Sequence, residues 1–177
     1  MGDLTSAGVP EPGAGDHCRG EGPLAVIYMD LACPHCAAFW ADVRDLALRV
    51  CVRHFPIESR RPRAPALHAA CEAAARQSEA GFWELWDSLY ADRGRTDDPH
   101  LWERAERAGL DLERFERDRR SDEVLACVRR DFESGIRCGV TGTPSVFVAG
   151  ALVPGGHGEG LAALRALAGH TLPSKRD

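Results

Sequence analysis

Two thiols three positions apart, in Cys33-Pro34-His35-Cys36, are the residues of this chain best suited to chemistry. A C-x-x-C pair can close into a disulfide and reopen, exchanging electrons with another sulfur. The pair follows the apolar run LAVIYMD at 24–30, and Pro34 stands where a helix would begin. With Cys33 as N-cap, Pro34 loses nothing as first helical residue, because its missing N–H would have had no partner. The Cys33 sulfur then faces free N–H groups and the positive end of the helix dipole, which favours thiolate over thiol. Cys36, one turn along, is in reach to bond Cys33 and to resolve a mixed disulfide formed there. Cys33 is therefore expected to be exposed and nucleophilic, and Cys36 shielded. A protonated His35 would lower the Cys33 pKa further. A low-pKa sulfur leaves easily, and stabilising the reduced form makes the disulfide a stronger oxidant. The motif thus leans towards donating disulfides.

Two other readings compete. The cysteines could be a neighbouring core pair. Alternatively, Cys33, Cys36, Cys51 and His54 read C-x2-C…C-x2-H, the spacing of a structural zinc site. Geometry opposes zinc: in the strand-like VCVRHF, Cys51 and His54 are an odd number apart and point to opposite faces. No metal ligand is expected.

The pattern predicts elements able to hold this pair. Residues 24–30 read as a strand buried on both faces. A helix from Pro34 repeats apolar residues at Phe39, Val43, Leu46 and Val50, and VCVRHFP at 50–56 reads as a second strand ending at Pro56. A loop over 58–67 contains Pro62 and Pro65, which block regular structure. Helices follow over 66–77, 81–92 and 98–109, the last capped by Asp98 with Pro99 in its first turn and closed by Gly109. Two more span 111–118 and 121–139, the second with Val124, Val128, Phe132 and Ile136 on one face. SVFVAG and ALVPGG form a hairpin about Gly150, and a helix over 159–169 closes the chain. The order β-α-β, helices, β-β-α implies an α/β fold, with a parallel pair, a right-handed crossover and an antiparallel edge.

Composition narrows the function. The 177 residues, 44% hydrophobic, suffice for one core. With 22 basic and 27 acidic residues the net charge is −5, and the pI is near 5.8, so nothing points to nucleic acid. There is no basic amphipathic stretch for a membrane surface, and no apolar run approaches a bilayer span. Residues 1–23 read as a flexible Gly/Pro-rich leader without the features of a secretory signal. Seven cysteines at irregular spacing do not resemble a disulfide scaffold. A cytoplasmic home is expected, or an extracytoplasmic one if a signal has been cut away.

GVTGTPSVFV at 139–148 carries a second signal. An X–Pro bond entering a strand after a tight turn, as at Thr143-Pro144, is where cis proline occurs, although a trans turn proline also fits. Together with CPHC, VRHFP at 52–56, HAACEAAARQSEAGFWELWDSLY at 68–90 and AGLDLERFERD at 108–118, it makes the chain resemble the DsbA-like thiol–disulfide oxidoreductases. The resemblance covers roughly residues 24–168. It implies a thioredoxin-like α/β fold: a central mixed β-sheet with an inserted α-helical block. The core would comprise 24–60 and 138–170, the insertion 61–137 and a tail 171–177. It further implies a cis Pro144 packed beside Cys33 and Cys36, with the Thr143 backbone offered to a substrate chain. Many relatives of the fold carry a buried acid six residues before the first cysteine, where this chain has Ile27. The nearest acid, Asp30, either relays protons to Cys36 or ends the strand in solvent.

Cys51, Cys71 and Cys127 lie in apolar segments and read as packing, as does Cys138, although its position before the proline loop also fits a place near the site. Cys18 reads as an incidental exposed thiol, or as a third thiol able to reach the CPHC pair. His54 and His68 read as structural, and His157 as a loop residue near a helix start. The expected activity is dithiol–disulfide exchange with protein or peptide thiols, or with a small-molecule thiol, with no cofactor beyond the cysteine pair. A glutathione- or mycothiol-linked isomerase or transferase is an alternative that Cys36 argues against, and a non-catalytic binding module is another.

Overall fold

The computed structural model describes residues 8–169. The expected thioredoxin-like fold is present, built on a mixed five-stranded sheet. Its centre is β2 (Leu24–Met29), flanked by β3 (Arg49–His54) in parallel and β4 (Ser145–Val148) antiparallel. The hairpin partner β5 (Ala151–Leu152) forms one edge. The other edge is β1 (His17–Arg19), antiparallel to β3. This strand lies inside the expected leader: His17 pairs with Val52 and is buried, so the flexible reading fails there. Three residues between a Gly/Pro-rich stretch and Gly20 carry too little periodicity to announce a strand. The sequence reading also places residues 1–7 and 171–177 in leader and tail; these lie outside the described residues.

Helix α1 (Pro34–Val43) crosses from β2 to β3. It stops short of the expected Val50, and the chain turns through Leu46 and Leu48 so that Val50 enters β3. Five helices follow before β4: α2 (Ala64–Ala75), α3 (Glu79–Ala91), α4 (Asp98–Arg107), α5 (Leu112–Asp118) and α6 (Asp122–Arg137). Pro65 opens α2 instead of blocking it, since a proline in the first turn forfeits no hydrogen bond. Asp97, not Asp98, caps α4, its side chain accepting from the His100 N–H. Helix α7 (His157–Gly169) packs on α1 and β4.

Both faces of the sheet are covered, which is why β2 is apolar throughout. Ala25, Ile27, Met29, Val50, Val52 and Val146 join Phe39, Trp40, Phe82 and Trp86 in the larger core. Val26, Tyr28, Cys51 and Phe147 face the other way, with Phe55, Cys138 and Val140. Along α6, Val124 and Val128 are buried, but Ile136, expected on the same face, is 55% exposed.

Candidate active site

The end of β2 delivers Cys33 to the start of α1. Cys33 has extended backbone (φ −85°, ψ 123°) as N-cap, with Pro34 in the first turn. Both Cys33 and Cys36 are free thiols. The Cys33 Sγ lies 3.8 Å from the Thr143 carbonyl oxygen, and the Thr143-Pro144 peptide bond is cis. These segments meet because Ile27 and Tyr28 pair with Val146 and Ser145, bringing the start of β4 beside the end of β2. The expected exposure of Cys33 does not hold: the residue is 2% accessible. Cys33 instead lines a small cavity of about 290 Å³ with His35, Ile57, Arg61 and Thr143.

The two sulfurs are strongly unlike. The Cys33 pKa falls to about 5: the Cys36 thiol donates to it, the main-chain N–H groups of Cys36 and His35 face it, and Arg61 adds positive charge, against an opposing effect of burial. Cys36 is 0% exposed, and burial together with the neighbouring Cys33 pushes its thiol well above the ordinary range. The main-chain N–H of His35 faces the Cys33 sulfur, and a positive charge comes from Arg61, 28 residues downstream of Cys33 and invisible to local spacing.

Asp30 is 0% exposed, so it does not end the strand in solvent. Its backbone N–H donates to Cys36 Sγ at 3.5 Å. Its carboxylate turns elsewhere, accepting from Ala32 N–H at 2.9 Å, Ile57 N–H at 3.2 Å and Arg61 at 3.3 Å. Burial opposes ionisation, but the hydrogen bonds from the Ala32 and Ile57 N–H groups favour the carboxylate, and the carboxyl lies below its usual range. Asp30 thereby anchors the loop that carries Arg61.

Behind Asp30 runs a buried polar chain. His68 Nε2 accepts from Leu31 N–H at 3.1 Å, so its proton sits on Nδ1 and is donated to His54 Nδ1 at 2.6 Å. Burial lowers His68 to about pKa 4, in keeping with a neutral ring. His54 Nε2–H then donates to Glu72 Oε1 at 2.7 Å, and His17 bridges Glu72 and Glu79 at 3.1 and 2.9 Å. The ligating atoms of His17, His54 and Glu72 lie within 4.8 Å of one another, the group among the described residues able to hold a metal ion. As they stand, these atoms satisfy each other through hydrogen bonds. The C-x2-C…C-x2-H set is not assembled: Cys51 joins the core cluster opposite to that of Cys33 and Cys36.

The DSBA-like thioredoxin domain matches residues 54–163, well over half of the chain. The chain belongs to this family. The match begins after Cys36, so the roles of the two cysteines rest on the geometry above. Solved structures agree in fold: the thiol–disulfide exchange protein alpha-DsbA2 of Wolbachia pipientis superposes with TM-score 0.75 at 17% identity, covering 90% of this chain and 88% of that one. A thioredoxin-like oxidoreductase of Silicibacter pomeroyi gives 0.73 at 27% identity, over 89% and 92%. In sequence, the Na(+)/H(+) antiporter NhaA 3 of Salinispora tropica is 35% identical over 143 residues, 76% of this chain but 22% of that protein. The NhaA antiporter of Herminiimonas arsenicoxydans is 35% identical over 151 residues, 80% of this chain and 24% of that protein. The chain thus spans about a quarter or less of the length of these relatives. No helix among its own described residues is long and apolar enough to cross a membrane.

Proposed function

We propose that this DsbA-like chain exchanges a Cys33–Cys36 disulfide with the thiols of polypeptide substrates, in the oxidising direction. A substrate thiolate attacks Cys33 Sγ of the disulfide, and the Cys33–Cys36 bond breaks. Cys36 leaves with the electron pair and takes up a proton, which its raised pKa favours. A second substrate thiolate then attacks the substrate sulfur of the mixed disulfide and expels Cys33 as a thiolate. Two electrons pass from two substrate thiols to the pair. The observation that carries this reading is the contrast between the sulfurs, with Cys33 near pKa 5 and Cys36 far above it. A leaving group that acidic favours the reduced enzyme and hence substrate oxidation.

A polypeptide substrate is supported by the surroundings of Cys33. A groove of about 540 Å³ runs beside it, lined by Phe55, Leu125, Phe132 and Ile136. Ile57 and Thr141 belong both to this groove and to the cavity at Cys33. An extended chain whose cysteine reaches Cys33 can lay an apolar side chain there.

The test pairs two variants with one equilibrium measurement. Cys33→Ser abolishes thiol oxidation, whereas Cys36→Ser accumulates mixed disulfides with a peptide dithiol. The reduction potential of the pair lies well above that of thioredoxin. A potential near that of thioredoxin would reverse the proposed direction, and full turnover by Cys33→Ser would remove Cys33 from its role.

A further inference from the structure

We propose that Cys18 and Cys51 form a second dithiol–disulfide pair, a redox modification site on the outer edge of the sheet. Cys18 on β1 stands directly opposite Cys51 on β3 in an antiparallel register. Directly opposed residues of such a ladder have Cα atoms roughly 4.5 or 5.5 Å apart, within the range of about 4.4–6.8 Å that a disulfide bridges. Opposed side chains also share a face, and both cysteines belong to the same apolar cluster with Val26. Their thiols are in hydrogen-bonding contact, and both are unoxidised. The pair lies on the sheet face opposite to the core that holds Cys33 and Cys36, so it is a site of its own.

The two sulfurs divide the work unequally. Cys18 is half-buried and reachable from solvent, whereas Cys51 is 0% exposed. Contact with the Cys51 thiol, and the charge of Arg49, bring Cys18 to about pKa 7, against burial and the nearby Asp16 carboxylate. Cys51 is pushed far upward by Cys18 and by burial. A small disulfide such as glutathione disulfide is the oxidant this arrangement accepts. The Cys18 thiolate attacks one sulfur of it and releases one glutathione thiolate. Cys51 then passes its proton to that thiolate and attacks Cys18 Sγ, expelling the second glutathione. Two protein thiols are oxidised, and one disulfide is reduced to two thiols.

Closure would fasten β1 covalently to β3. Strand β1 places His17 against Glu72, and Arg19 at 2.8 Å from Asp87 and over Trp40 and Trp83 at 4.6 Å. Oxidation therefore secures these contacts to the sheet.

The experiment uses the Cys33→Ser/Cys36→Ser variant, so that it is independent of the exchange activity proposed above. After incubation with glutathione disulfide and alkylation, non-reducing peptide mapping should recover Cys18 joined to Cys51, and dithiothreitol should release both. With Cys51→Ser added, Cys18 should accumulate as its glutathione mixed disulfide. The same mapping on the unsubstituted chain reads the two pairs on separate peptides, should a variant fail to fold. Cys18 and Cys51 remaining as thiols, Cys18 stopping at the mixed disulfide with Cys51 present, or Cys18 joined to a different cysteine would each overturn the proposal.

Discussion

Asp30 and Arg61 are joined across the mouth of the candidate site: the Arg61 guanidinium donates to Asp30 Oδ2 at 3.3 Å, on a carboxylate with no solvent exposure. The acid at the end of β2 thus serves the cysteines indirectly, by holding a cation where it faces Cys33. In Arg61→Ala the Cys33 thiolate loses that charge but keeps the Cys36 thiol and the helix N–H groups. Its titration midpoint, followed by thiolate absorbance, should rise from about 5 by about one unit, the lower end of what a neighbouring opposite charge produces. An unmoved midpoint would mean that Arg61 is too well solvated to matter.

His35 gives the complementary case. The part of it that faces Cys33 is its main-chain N–H, which any residue but proline supplies. His35→Ala should therefore leave the Cys33 midpoint near its original value. A rise of a full unit would restore the imidazole to the role that its place in the motif suggests.

The groove beside Cys33 separates large substrates from small ones. Leu125 and Ile136 are 38% and 55% exposed on its wall. Leu125→Glu/Ile136→Glu would set two carboxylates where an apolar side chain of a polypeptide should rest. The expected outcome is a fall of about tenfold or more in kcat/KM for a peptide dithiol, on the scale of one or two buried apolar contacts. Turnover of a small dithiol should be unchanged. Equal losses for both substrates would point to damage at the cysteines instead.

The parts of this molecule set by local chemistry were legible in the sequence. Cys33 as N-cap and Pro34 in the first turn follow from the needs of a helix start, and the buried strand at 24–29 from its unbroken apolar run. The family resemblance led to the DsbA-like fold. What stayed hidden depends on residues distant in sequence. Arg61 reaches the Cys33 site on a loop that Asp30 helps to hold, and strand β1 is recognisable only through its partner β3. His17, His54, His68 and Glu72 come from three separate segments, and each reads alone as an ordinary polar residue. Cys18 by itself reads as an incidental thiol or as one able to reach the CPHC pair; only the register sets it against Cys51, on the other face of the sheet.

The buried chain of histidines and carboxylates makes the last prediction. Glu72 accepts from both His54 and His17 through one oxygen and is 6% exposed. Burial disfavours its charge, but hydrogen bonds from His17 and His54 overcome this and hold the carboxyl far below its ordinary 4.5. A carboxyl depressed in the folded state adds stability above its unfolded pKa and loses it as pH falls towards the folded value. His17 behaves in the opposite sense. Burial lowers it, the Glu72 and Glu79 carboxylates more than compensate, and its pKa ends above 6.5. Its contribution is complete below 6.5 and fades as pH rises through the folded value. The pair is thus fully effective between 4.5 and 6.5, with a loss on either side. Glu72→Gln keeps an acceptor oxygen but removes the charge opposite a buried imidazolium, a change that costs about 3 kcal/mol when one member of a buried pair is lost. Urea denaturation at about pH 5.5 should show that deficit, and the difference from the unsubstituted protein should narrow in both more acidic and more alkaline buffer. A deficit that stayed constant with pH would assign Glu72 to packing alone.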